Sequence, residues 1–288
     1  AGVELSVCRN ITISHNSIYD TPRAGINISE GTWGGHIIEH NDIFDTVKET
    51  GDHGTINSWG RDRFWHPKYN VMTQITDENP ALILADVVEP IIIRHNRLRC
   101  DRGWDIDLDD GSSNYQIYNN LCLNGGIKLR EGFYRTVENN IIVNNTLHPH
   151  LWFKNSGDVF SRNIVMTKYK PIRVYGWGRE VDYNIFTDSL AYLAARQLGG
   201  DVHSIVTTIR FMDATKGNFN VADDSEVIIK GGFRNFPMNK FGVLSSHLKQ
   251  LAESPVMPVP LVTDNDADTK TMLWKGVTLK NLNTLEER

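Results

Sequence analysis

The chain is poor in cysteine, in surplus positive charge and in long apolar runs. Its three cysteines, Cys8, Cys100 and Cys122, are too few and too irregularly spaced for a disulfide framework or a zinc site, so buried free thiols are expected. Thirty lysines and arginines against 35 aspartates and glutamates leave a net charge of −5, which argues against a nucleic-acid partner. No apolar run approaches the roughly 18 residues of a membrane span. No signal peptide is legible, because the opening AGVELSVCRN already alternates like a strand. Both ends read as cut from a longer protein. The composition, 40% hydrophobic and 23% charged, is that of a folded chain rather than a disordered one.

What the sequence does have is a repeat. An asparagine followed by alternating apolar residues recurs at Asn16, Asn41, Asn70, Asn96, Asn120, Asn140, Asn163 and Asn184, in steps of 25, 29, 26, 24, 20, 23 and 21 residues. A period in the twenties built from short, β-branched runs indicates a β-solenoid. The expected fold is all-β, a right-handed parallel β-helix of about 8–10 coils, each stacked at strand spacing of about 4.8 Å. Stacked asparagines can hydrogen-bond along such an axis as an amide ladder.

A second strand precedes each asparagine. GINISEG (25–31), DIDLDDG (105–111) and GIKLREG (126–132) align without gaps, and LILAD (82–86), LWFKN (151–155) and IRVYG (172–176) extend the column. Alternate residues of a strand face opposite ways. The outward rows are therefore expected to be Asn27, Ile83, Asp107, Lys128, Trp152, Arg173, and Ser29, Ala85, Asp109, Arg130, Lys154, Tyr175, with Glu131 in a third. A stripe both charged and aromatic suits a sugar-chain groove, although cross-coil salt bridges such as Asp107 to Lys128 would explain much of it as sheet stabilisation. Residues 47–66 read as an insertion that walls this groove, with Asp52, His53 and Asp62 facing it. His148 and His150 flank an expected turn between coils.

Three organisational units are expected: residues 1–250 as the solenoid with a packed tail, 251–271 as a proline-rich and polar linker, and 272–288 as the start of a further small β module. A short helix is expected over 188–198, stopped by Gly199 and Gly200.

Asp107 and Asp109 are the first candidates for a reactive pair. Two apart on one strand, their Cα atoms lie about 6.6 Å apart on one face. Paired carboxyls at such spacings serve glycoside hydrolysis. Lys128 and Arg130 would tune their protonation and hold substrate. His150, Trp152, Lys154, Arg173 and Tyr175 would add substrate contacts. This scheme needs no metal or cofactor. The clustered aspartates also admit a second scheme, a polysaccharide lyase in which Ca2+ neutralises a uronate. The third, from a different class, is a non-catalytic carbohydrate-binding solenoid.

The runs DIDLDDGSSNYQIYNNLCLNGGIKLREG and VENNIIVNNTLHPHLWFKNSGDVFSRNIV, with GGDVHS, KGNFNV and GGF in the tail, resemble bacterial carbohydrate-active parallel β-helix proteins of the glycoside hydrolase family 141 type. The resemblance covers residues 10–260. It implies action on fucosides or xylan of plant or algal cell walls, and export to where such polymers lie, outside the cell or in the periplasm. MLWKGVTLKNL (272–282) resembles the entry to a PDZ-type module.

Overall fold

The computed structural model describes residues 1–29 and 32–261, and the backbone of Met272–Trp274 and Val277–Leu279. The chain is mostly β, with three long parallel sheets and few helices. The first sheet stacks Val3–Leu5, Ile26–Ile28, Gly54–Trp59, Trp104–Asp109, Ile127–Leu129 and Leu147–Pro149 in that order. The second has seven strands and the third eight, and the chain visits the three sheets in rotation. Successive strands of each sheet are therefore sequential passes of the chain, as the repeat implied.

The bend between the second and third sheets is built by the asparagines. Each is preceded by a residue in the left-handed region: His15 (φ 55°), His40 (55°), His95 (52°), Asn119 (56°), Asn139 (55°), Arg162 (55°) and Tyr183 (59°). That single reversal redirects the strand, and the asparagine side chain then absorbs the backbone groups the bend leaves unpaired. Asn120 Oδ1 accepts from Asn96 N and Nδ2 at 3.0 Å each, while its Nδ2 donates to Asn140 Oδ1 (3.0 Å) and Ile93 O (2.9 Å). The same pattern runs from Asn16 through Asn41, Asn96, Asn140 and Asn163 to Asn184, where Ser204 takes over. Asn120→Ala should cost about 3 kcal/mol, since several buried groups lose partners at once. Urea unfolding measures it, and a midpoint unchanged from wild type would show the ladder to be energetically idle.

Inside the sheets, Ile26, Ile56, Ile106, Ile127, Leu147, Ile93, Ile117, Val137 and Phe160 form a continuous stacked core. The outer face of the third sheet is also covered. Phe219, Val221, Phe233 and Phe236 of the tail pack on Leu121, Ile141 and Ile164. The short helix expected near 188–198 spans Ser189–Gln197, and the Asp188 side chain caps it by accepting from Leu190 N. Gly199, at φ +94°, follows its end.

Several expected placements are overturned. Asn70 is not a rung: it lies on a helix, α1 (Tyr69–Glu78), and Asn41 bonds directly to Asn96. Residues 47–66 are not one insertion, because Gly54–Trp59 within them is a strand of the first sheet. The excursion from the sheets falls later, where α1 and a 3-10 turn (Pro80–Leu84) follow that strand. LILAD is part of that turn, and Ile83 packs into an apolar cluster with Phe64, Met72, Phe133 and Phe153 rather than facing out. LWFKN is not the strand after GIKLREG either. Lys128 stands beside His148, since the next strand is Leu147–Pro149. Trp152, expected on the outward face, is fully buried in the core and donates its indole N–H to Leu129 O (2.8 Å).

Met272–Trp274 and Val277–Leu279 form an antiparallel pair. The remainder of the expected linker beyond residue 261, and of the segment 272–288, lies outside the described residues. Among the described residues no helix is long and apolar enough to cross a membrane.

Candidate active site

The first sheet carries one row of polar side chains in strict register: Glu4, Asn27, Asn57, Asp107, Lys128, His148. At one end, Asn27 donates to Glu4 (2.8 Å) and Asn57 donates to Asn27 (2.9 Å), so amides tie the row together. At the other end the row becomes charged. Gly54 is required beside it, because a Cβ there would lie 2.7 Å from Asp107 Cβ and 2.9 Å from Asp107 N. The second outward row continues from Trp59 to Asp109, then to Arg130 and His150, whose N–H groups bond the preceding coil.

Lys128 stands at the centre. Its ammonium lies 3.1 Å from Asp107, 3.6 Å from Asp109 and 3.6 Å from Asp52, and 4.1 Å from the centroid of the Trp104 ring. Burial alone would lower its pKa, but the three carboxylates outweigh burial and raise it, so the amine is charged. Asp107 has no exposed surface. Burial pushes its pKa up to about 7, against the pull of Lys128 and with Asp109 adding to the rise. Asp109 keeps 16% of its side chain exposed and Asp52 75%. One carboxylate oxygen from each of the three lies within 4.8 Å of the others.

This disposition corrects the expected roles. Asp107 lies beneath Lys128 and cannot touch a substrate, so it acts through its neighbours. Asp109 and Asp52 are the carboxyls that solvent reaches. The three carboxylates could offer oxygens to a divalent ion, and the Lys128 ammonium sits within 3.6 Å of all of them.

Arg130 is a second node. It bonds Asp109 (2.9 Å), Asp110 (3.1 Å) and Glu131 (2.8 Å), and Asp110 also takes Arg61 (3.0 Å). Glu131, expected at the substrate, is buried and accepts from Trp65 Nε1 (3.0 Å), and burial raises its pKa. It anchors the segment after Gly54–Trp59 to the sheet. Arg61 lies over Trp59 and Trp65, at 4.5 and 5.2 Å from their centroids, so these tryptophans pack against it.

A cleft of about 320 Å³ opens over this cluster, lined by Asp52, Trp104, Lys128, Arg130, His150 and Arg173, with Leu151 and Ile172 at its apolar side. Sequence-predicted residues thus meet in one place although they come from distant parts of the chain. Others do not join them. His53 Nε2 accepts from Arg23 (2.9 Å), so its Nδ1–H donates to Thr50 (3.0 Å), and it lies outside the cleft lining. Asp62 is half-buried on the excursion, with its pKa raised to about 7 by burial and by Asp86. The flanking arginines do not pair with it, because Arg61 takes Asp110 and Arg63 takes Asp86. Lys154 is exposed on a turn, and Tyr175 stacks on Tyr69 of α1 at 4.2 Å.

Trp104 and Ile172 were not singled out from sequence as site residues, and His148 was expected at a turn between coils. Trp104 opens the strand whose alternation was legible only from Asp105 onward. His148 lies on a strand rather than at a turn. Trp104 Nε1 donates to His148 Nδ1 (3.3 Å), which leaves the proton on Nε2, facing Asn145 Oδ1 at 2.8 Å. Burial, reinforced by Lys170, His150 and Lys128, lowers the His148 pKa to about 3, and burial with Lys128 and Arg130 lowers His150 to about 4. Both imidazoles are neutral in the fold, whereas an unfolded histidine takes a proton below about 6.5. Their contribution to stability is therefore present at pH 7 and lost as pH falls from about 6.5 toward 4. The stability advantage of wild type over His148→Gln should accordingly shrink between pH 7 and pH 5 in urea unfolding. An advantage that grows would contradict a neutral His148.

No protein-family model matches the chain, and neither a curated protein nor a solved structure does.

Proposed function

We propose that the protein is a glycoside hydrolase built on a right-handed parallel β-helix, acting on a cell-wall polysaccharide or its side chains. The observation that carries this reading is the set of three carboxyls gathered around Lys128 under an open cleft. Glycoside hydrolysis needs one carboxyl that holds a proton and a second that is ionised. Asp107, raised to about 7, keeps a proton available at neutral pH, and it stands beside Asp109 on one strand. In this reading Asp107 passes that proton to Asp109, its neighbour on the same face of the strand. Asp109, the accessible member, presents it to the leaving oxygen. Asp52, across the Lys128 ammonium, supplies the second carboxylate, which attacks the anomeric carbon or activates water. Lys128, Arg130 and Trp104 hold the sugar. Fucoside or xylan substrates, and location outside the cytoplasm, follow only from the sequence resemblance.

A second reading is favoured by one observation. A neutral His150 shares the cleft with Lys128, Arg130 and Arg173, which is a base beside cations able to hold a uronate. That combination serves β-elimination without calcium. Digestion of a panel of plant and algal polysaccharides separates the two. New reducing ends without near-ultraviolet absorbance support hydrolysis. Reducing ends with the absorbance of an unsaturated uronate support the lyase. Ligand binding with no bond broken would leave a carbohydrate-binding solenoid.

A further inference from the structure

Trp104 is shared by two clefts. On one side is the cleft over Lys128, and on the other a larger one, about 730 Å³, lined by Arg99, Arg102, Asp101, Asn124, His148 and Lys170 among others. One indole borders both, so the two clefts adjoin at the start of the Trp104–Asp109 strand.

The charges in these clefts run against those of the molecule. The chain carries a net −5. Yet each cleft is lined by three cations and a single carboxylate: Lys128, Arg130 and Arg173 with Asp52, and Arg99, Arg102 and Lys170 with Asp101. Three of these cations, Arg102, Lys170 and Arg173, form no ion pair among the described residues. Arg99 is paired with Asp101 (2.9 Å). Lys170 is exposed and makes no side-chain hydrogen bond or ion pair among the described residues. Arg102, also exposed, donates only to the Lys48 carbonyl. At the far end Arg173 is likewise exposed, unpaired among the described residues and in the left-handed region (φ 51°). Cations that stabilise a solenoid are paired across coils, as Arg94 is with Glu39 (2.7 Å) and Arg97 with Asp42 (2.5 Å). Unpaired cations placed in a concave, partly apolar groove fit an anionic ligand instead.

We infer that the adjoining clefts take an anionic saccharide, with a unit bearing a carboxylate or a sulfate ester seated in the larger cleft against Arg102 and Lys170. This rests on the carbohydrate reading of the site but not on which bond is broken. It makes the substrate an acidic polymer, or a neutral one with acidic side groups, whose charged unit lies beyond Trp104 from the carboxyls.

Calorimetry with three tetrasaccharides tests it: a galacturonate tetramer, its carboxyl-reduced neutral counterpart, and that neutral tetramer after sulfation. At least one charged tetramer should bind about tenfold or more tightly than the neutral one, and which one does so names the anion. The variant Arg102→Gln with Lys170→Gln should bring its affinity down to the neutral level while leaving neutral binding unchanged. Equal affinity for all three, a charge preference untouched by the double variant, or binding of neither charged tetramer would overturn the inference. Hydrolysis is read separately, from reducing ends, so failure of one leaves the other standing.

Discussion

Asp109→Asn is expected to lower turnover about 10³-fold or more while leaving the fold intact. The substitution is isosteric, and an asparagine Oδ1 can still accept from Arg130 and Lys128, which stand 2.9 and 3.6 Å from the carboxyl. Substrate grip should therefore persist, and the loss should fall on kcat rather than KM. What disappears is the carboxyl that stands beside Asp107 on its strand and keeps 16% of its side chain exposed. The proton held by Asp107 also sets a pH dependence. Asp107 is raised to about 7 by burial, so its proton is present below that pH and lost above it, and kcat should fall as pH rises through about 7. Asp107→Asn should lower kcat and remove that limb. Full activity in Asp109→Asn would end the assignment.

Arg135→Met should destabilise the fold by about 3–5 kcal/mol, among the largest effects of any single change. Arg135 and Asp158 are both fully buried and joined at 2.6 Å, with Asp158 also accepting from Arg135 N (3.0 Å). Removing the cation alone strands a carboxylate in the interior, and the carbonyls of Arg130 and Ser112 lose a donor too. Those contacts tie the bend after Arg130 to the second sheet, so Arg130 should also loosen. The double variant Arg135→Met with Asp158→Leu should recover much of the loss, since both charges then go together. Urea unfolding of the four species measures the coupling. A double variant no more stable than Arg135→Met would show that the missing carbonyl contacts, not the stranded charge, carry the cost.

The ladder asparagines and the pairing of Asp107 with Lys128 were legible because both depend on local rules that repeat. An amide after a left-handed residue recurs at each bend, and gapless alignment of DIDLDDG with GIKLREG is the same register that the strands adopt. Legibility failed where strands shrink. With Leu147–Pro149 only three residues long, alternation is too short to fix its phase, and the aromatic LWFKN was taken for the strand. Trp152 therefore appeared to face out when it belongs to the core. Asn70 failed for a related reason: its local sequence resembles a rung, but the chain leaves the sheets there and packs α1 beside Phe153 through Tyr69. The Arg135–Asp158 pair was invisible, since nothing in either neighbourhood says that both side chains turn inward. Asp52 reads from sequence as a substrate contact and a reserve carboxyl on the groove wall, and the structure brings it to the Lys128 ammonium itself.

The most direct measurement is a crystal structure of the Asp109→Asn variant soaked with an oligosaccharide from whichever polymer the wild type degrades. A chain lying along the first sheet past Trp104 is expected, with a glycosidic oxygen within hydrogen-bond reach of residue 109 and the anomeric carbon facing Asp52. Sugar bound on the tail, on the second sheet or over α1, with the cleft at Lys128 left to solvent, would contradict it.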